Sequence, residues 1–140
     1  MDTDKNKLLT VLFDGQDSRD QGLNDISEKI IGCAFKVSNT LGCGFLEKVY
    51  ENALAYELRK IGFIVGQQED ITVLYDGMEV GKYAADLLVE GGILVELKAV
   101  RDLNDIHRAQ CMNYLRATGL KLCLLINFGY PRVEVKRIVL

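Results

Sequence analysis

A chain of 140 residues, 49% hydrophobic and 26% charged, has the size and balance of one globular domain with a real core. Its formal net charge of −3 and pI near 5.2 argue against a protein that coats nucleic acid by charge alone, though not against an enzyme with a local basic rim. No apolar run approaches the ~20 residues of a membrane-crossing helix, and Met1–Lys7 lacks the basic-then-apolar order of a secretion signal, so a cytoplasmic protein with no membrane partner is expected.

Residues 1–22 show no steady period and carry the turn-rich stretch Asp14–Ser18. They read as a loosely held arm in which Leu8–Phe13 docks as a short element, leaving 23–140 as the folded domain. From Asn24, Ile26, Ile30, Cys33, Ala34, Val37 and Leu41 form a helical stripe, with Asp25 and Glu28 suited to the start and Gly42 to the stop. A second helix is expected from about Leu46 to Ile61, with Val49, Tyr50, Ala53, Leu54 and Leu58 inward. Glu47 lies on the same side as Tyr50 and Leu54, and an acid there invites explanation.

Strand signals follow at Phe63–Val65 and Ile71–Tyr75, and Asp76-Gly77 reads as a two-residue hairpin turn into Met78–Val89. Ile93–Val100 is the next strand. A helix over Asn104–Thr118 puts Ile106, Ala109, Gln110, Asn113, Tyr114 and Ala117 on one side. Leu120–Phe128 is too continuously apolar for a one-faced sheet and belongs in a covered centre. Gly129-Tyr130-Pro131 turns into a last strand, Val133–Leu140. The order α-α-β-β-β-α-β-β predicts one α/β domain, a mixed central sheet flanked by helices.

Four widely spaced cysteines form no C-x-x-C pair, which disfavours zinc. Cys33, Cys111 and Cys123 fit the core, while Cys43, between two glycines, is the one expected outside. The basic residues of the last third, among them His107, Arg108, Arg116 and Arg137, read first as solvated surface; His107 has no obvious partner.

The chemistry concentrates in Asp86–Lys98, where two carboxylates and an amine interrupt apolar strands at a cost that needs compensation. Register decides their geometry. A two-residue Gly91-Gly92 turn would send Asp86 to the face away from Glu96 and Lys98. A three-residue Glu90-Gly91-Gly92 turn pairs Val89 with Ile93 and sets Asp86 opposite Glu96. Carboxylates about 5 Å apart then repel by roughly 3 kcal/mol at an effective dielectric of ~20. A divalent cation offsets this, and magnesium takes one or two carboxylates while keeping waters and phosphate oxygens. Lys98 would orient the attacking water and stabilise charge on the phosphate, with proton abstraction second. Spacing alone equally allows a plain Glu96–Lys98 ion pair on an exposed face, with Asp86 near a strand end.

Asp86, nine residues, then Glu96-Leu97-Lys98 resembles the core motif of the PD-(D/E)XK nuclease superfamily, with Ala85 in place of the name-giving proline. Gly44-Phe-Leu-Glu47-Lys-Val-Tyr50 is similar to the signature of the GxxExxY protein family, a bacterial and archaeal branch, and Gln110-Cys-Met-Asn-Tyr114 to the Q-x-x-x-Y element of exonuclease-like members. The resemblance covers roughly residues 24–140. It implies a restriction-endonuclease-like α-β-β-β-α-β core and a Mg²⁺-dependent nuclease, Mn²⁺ substituting, acting on nucleic acid with DNA favoured. In it Asp86 and Glu96 hold the ion, and Glu47 completes the site directly or through water. Lys98 acts as above, Gln110 and Tyr114 position substrate or brace the site, and Gly44 lets the first two helices approach closely. Tyr50 reads as a core aromatic with a bonded hydroxyl. A homodimer is an open expectation, since a lone small domain holds nucleic acid weakly. The alternative is a non-catalytic binding or scaffold module that keeps the nuclease architecture, which the acidic pI favours.

Overall fold

Two periods in the sequence, 3.6 and 2, resolve into three helices and five strands in a computed structural model that describes residues 18–129 and 131–140. In chain order they are α1 (Ser18–Leu41), α2 (Glu47–Lys60), β1 (Val65–Tyr75), β2 (Met78–Val89), β3 (Ile93–Lys98), α3 (Asp105–Thr118), β4 (Leu122–Asn127) and β5 (Glu134–Val139). The strands form one sheet in the order β1-β2-β3-β4-β5. Only β3 and β4 run parallel, joined by the α3 crossover; the other neighbours are antiparallel. The mixed sheet with flanking helices is the expected architecture.

α1 and α2 cover one face. Ile30, Ala34, Tyr50 and Leu54 pack there on Val89, Val95, Leu97 and Leu124. α3 covers the other, where Cys111, Tyr114 and Leu115 meet Leu94, Cys123 and Leu125. β4 is buried along its whole length, as its continuous apolar run requires of a strand covered on both sides. Alternation along β3 thus sends Ile93, Val95 and Leu97 to the α1/α2 side, and Leu94, Glu96 and Lys98 to the α3 side.

Two boundaries differ from expectation. Residues 18–22, assigned to the arm, are the first turns of α1, so Asp25 and Glu28 lie inside the helix and do not start it. Leu23 and Ile26 pack against the core, which carries the helix back past Asn24. The remainder of the expected arm, with Leu8–Phe13, lies outside the described residues. Phe63 and Ile64 lie just before β1, and Val65 and Ile71–Tyr75 are not separate strands; they belong to one strand because Gly66, Gln67, Glu69 and Asp70 find partners on β2.

Candidate active site

The connection between β2 and β3 sets everything that follows. Val89 pairs with Ile93, Leu88 with Leu94 and Leu87 with Val95, so Glu90-Gly91-Gly92 is a three-residue turn. Glu90 and Gly91 take φ of 53° and 66°, a left-handed conformation that glycine adopts freely. Glu90 is held in it by two bonds to Ile64: its backbone N–H donates to the Ile64 carbonyl at 2.8 Å, and its carboxylate accepts the Ile64 N–H at 2.7 Å. This is the odd register that sets Asp86 opposite Glu96.

At that level the ladder gives way to side chains. The Asp86 N–H donates to Glu96 Oε1 at 2.9 Å, and the Leu97 N–H donates to Asp86 Oδ2 at 2.8 Å. The two carboxylates therefore share one place in the sheet. Glu96 is only 3% exposed, which removes the exposed-face ion pair as its description. Burial, then the charge of Asp86, pushes the Glu96 carboxyl up to about 8, against the pull of the Asp86 N–H and the Lys98 ammonium. Burial likewise raises Asp86, with smaller contributions from the charges of Glu51 and Glu47. A proton or a cation relieves this pair; two bare charges do not.

Glu47 is the first residue of α2 and sits at the positive end of that helix. It is exposed, and its Oε2 accepts the Ala99 N–H at 3.3 Å, which ties the helix start to the chain just beyond Lys98. It is not gathered with the strand acids into a ready ligand set: among the described residues, no three His, Cys, Asp or Glu side chains are arranged to hold a metal ion. Asp86 and Glu96 are the pair brought together. Two carboxylates, one of them buried and unwilling to ionise alone, are a donor set that fits a hard divalent cation completed by water and phosphate oxygens.

Lys98 is partly buried, ends β3 and projects on the Glu96 side. Its neighbourhood is fixed by Asn127, which is fully buried. The Asn127 amide accepts the Val100 N–H at 3.0 Å and donates to the Val100 carbonyl at 2.9 Å, and also accepts the Gly129 N–H at 2.9 Å. Gln110 and Tyr114 sit one turn apart on α3, with Gln110 Nε2 donating to Tyr114 Oη at 3.0 Å. Burial, then the Glu96 charge, raises the Tyr114 phenol to about 12, so this pair borders the carboxylates on the α3 side.

Two residues escaped the sequence reading. Glu51, one turn after Glu47, is 3% exposed and gathers donors from Lys48, Gln67 and Gln68 at 2.7–2.9 Å. Gln68 Nε2 bridges Glu51 Oε1 at 2.7 Å and Asp86 Oδ1 at 3.1 Å. Its φ of 52° removes it from the β1–β2 ladder, which steps from Gln67↔Leu87 to Glu69↔Ala85. Side-chain alternation inverts there: Leu87 faces α1/α2, whereas Ala85 faces α3. The i, i+4 spacing of Glu47 and Glu51 was a signal for the first; nothing in the sequence marked the backbone of Gln68.

Tyr50 is the core aromatic with a bonded hydroxyl that was expected, while Gly44, His107 and Arg137 differ from expectation. Tyr50 is fully buried, stacks on Phe128 at 4.7 Å between ring centroids, and bonds the Gly42 carbonyl at 2.6 Å and the Phe45 N–H at 3.2 Å. It pins the loop that starts α2 and so aims Glu47. Gly44 does not serve close helix approach, because a Cβ there would meet nothing within 4 Å. Its φ of 110° is what demands glycine. His107 is not partnerless: its Nδ1 accepts the Asn104 N–H at 3.2 Å while Asn104 Oδ1 accepts the His107 N–H at 3.1 Å, a capping box at the start of α3. Arg137 is half-buried and bonds Ser27 at 2.6 Å, so it is not solvated surface. Cys33, Cys111 and Cys123 are buried or partly buried and Cys43 is exposed, as expected.

An α/β domain with an acid pair and a lysine where two central strands part defines the class. The chain belongs to the PD-(D/E)XK nuclease superfamily, whose profile matches residues 24–138. Among solved structures, an alkaline exonuclease (LHK-Exo) from Laribacter hongkongensis is similar at 15% identity and a TM-score of 0.45, over 76% of this chain and 75% of that one. No curated protein matches the chain. Among the described residues, no helix is long and apolar enough to cross a membrane.

Proposed function

We propose that this protein is a Mg²⁺-dependent nuclease of the GxxExxY branch, hydrolysing phosphodiester bonds of nucleic acid, with DNA favoured over RNA. The observation that carries the reading is the opposition of Asp86 and Glu96, each bonded to the other's strand and both reluctant to ionise. Asp86 and Glu96 would hold the ion, and Glu47 would reach it through water. When bound, such an ion neutralises the carboxylates and stabilises charge on the phosphate. Lys98 orients the attacking water and balances negative charge on the substrate. Gln110 and Tyr114 position the substrate on the α3 side, and Gln68 with Glu51 holds the Asp86 carboxylate in place. Mn²⁺ should replace Mg²⁺; a cytoplasmic location and a homodimer belong to the same proposal.

The test is cleavage of labelled DNA and RNA with Mg²⁺ or Mn²⁺ by the wild type and by Asp86→Asn, Glu96→Ala and Lys98→Ala. Metal-dependent cleavage lost in all three supports the proposal. Equal activity of wild type and Glu96→Ala rejects it. The net charge of −3 favours a second reading, a non-catalytic module that keeps the fold. Calorimetric titration with Mn²⁺ separates the two, since binding that disappears in Asp86→Asn belongs to the enzyme.

A further inference from the structure

Beyond the acid pair, the described surface holds a large concavity that the proposed chemistry uses only at its Gln110–Tyr114 edge. It is a cleft of about 860 Å³ between the β1–β2 hairpin and α3, a volume typical of ligand sites. We infer that this cleft holds an unpaired segment of nucleic acid, with the ring of Tyr83 as the stacking face for a base. The inference rests on the nuclease reading and adds the form of the substrate.

Three observations converge on it. Tyr83 is 55% exposed although its ring leans on Tyr114 at 5.8 Å between centroids, so an aromatic surface stands open to the cleft. Leu74, Val80 and Ile106, all more than half exposed, flank it, and such faces match the faces of bases, which a duplex hides within its stack. Second, polar groups lie on the same wall: Gln110 and Asn113 offer amides to base edges, and Arg116 bonds Asn113 Oδ1 at 3.1 Å. Arg116 also lines a neighbouring hollow with Arg108. These two arginines lie beside the apolar cleft, as a strand with bases inward and phosphates outward requires.

Third, the cleft adjoins the acid pair across α3, where Gln110 and Tyr114, bonded to each other at 3.0 Å, form part of its wall. Tyr114 is both a wall of the cleft and the residue whose phenol feels the charges of Glu96 and Asp86. A strand stacked on Tyr83 would run past Gln110 and Tyr114 toward the carboxylates. The same exposed apolar residues would also suit a protein surface, but the amides, the arginines and the link to the carboxylates favour nucleic acid.

Fluorescence anisotropy with a fluorescein-labelled oligo-dT and a blunt duplex, in EDTA to prevent cleavage, tests this directly. The wild type should bind the single strand at least tenfold more tightly than the duplex. Tyr83→Ala should weaken oligo-dT binding about tenfold, Tyr83→Phe should restore it, and Arg116→Ala should weaken it and flatten its salt dependence. Unchanged affinity in Tyr83→Ala, or preference for the duplex, overturns the inference. So does a wild-type dimer in light scattering that Ile106→Asp splits without changing oligo-dT affinity, because the cleft is then a protein interface. The proposed function fails separately: metal-dependent cleavage that survives Glu96→Ala counts against the acid pair whatever Tyr83 does.

Discussion

Replacing Glu96 with glutamine keeps the shape of the side chain and its acceptor for the Asp86 N–H, but removes the charge. In the folded protein the Glu96 carboxyl rises from 4.5 to about 8. At about 1.4 kcal/mol per pH unit, holding it ionised costs the fold about 5 kcal/mol as an upper bound. The sign follows from proton counting. Between those two values the folded state keeps a proton that the unfolded chain has released, so stability is fully present below pH 4.5 and is lost as pH rises through 8. Asp86 shifts in the same direction and steepens the loss. Glu96→Gln should therefore match the wild type at pH 4.5 and exceed it by about 3 kcal/mol at pH 8.5, or roughly 10 °C in Tm for a domain of this size. Thermal and urea melts in EDTA at the two pH values read this out. Millimolar Mg²⁺ at pH 8.5 should close most of the gap by stabilising the wild type alone. Parallel pH profiles for the two proteins would refute the argument, because burial would then not govern the ionisation of Glu96.

Three further substitutions probe the supports of the site. Gln68→Gly relieves the left-handed backbone by about 1 kcal/mol but strips Glu51 and Asp86 of a donor worth about 1–3 kcal/mol, so stability should fall by about 1 kcal/mol and metal-dependent cleavage about tenfold as Asp86 is freed; melts and single-turnover rates test both. Asn127→Ala leaves the Val100 N–H and carbonyl and the Gly129 N–H without their partner, and should lower stability by about 3 kcal/mol in urea titrations. Tyr50→Phe keeps the stack on Phe128 but drops both bonds to the Gly42–Phe45 loop. A loss of about 1–2 kcal/mol is expected, with faster amide exchange at Phe45.

The helices and strands were legible because their apolar periods were strong, and the hairpin between β2 and β3 could be reduced to two registers by counting. Choosing between them needed the contacts of Glu90 with Ile64, a pairing 26 residues apart in sequence that no local pattern carries. The paired acids and Lys98 were visible as charges in apolar strands. Gln68 was not, since its role depends on a backbone angle and on Glu51 arriving from a helix 17 residues earlier. Gly44 and His107 were noticed for the wrong reasons: one needs a dihedral, the other finds its partner three residues back along its own chain.

Because Asp86 and Glu96 use carboxylate oxygens where neighbouring rungs use carbonyls, the seam between β2 and β3 is latched by the same atoms that would grip an ion. Capturing a cation then means trading those latches for coordination, and the strands should breathe more freely beside a loaded site. Amide exchange at Asp86 and Leu97 would quicken when Mg²⁺ is added even as the domain as a whole becomes harder to melt. Opposite responses of two neighbouring amides and the global fold would mark the seam as a place where binding and local opening are one event.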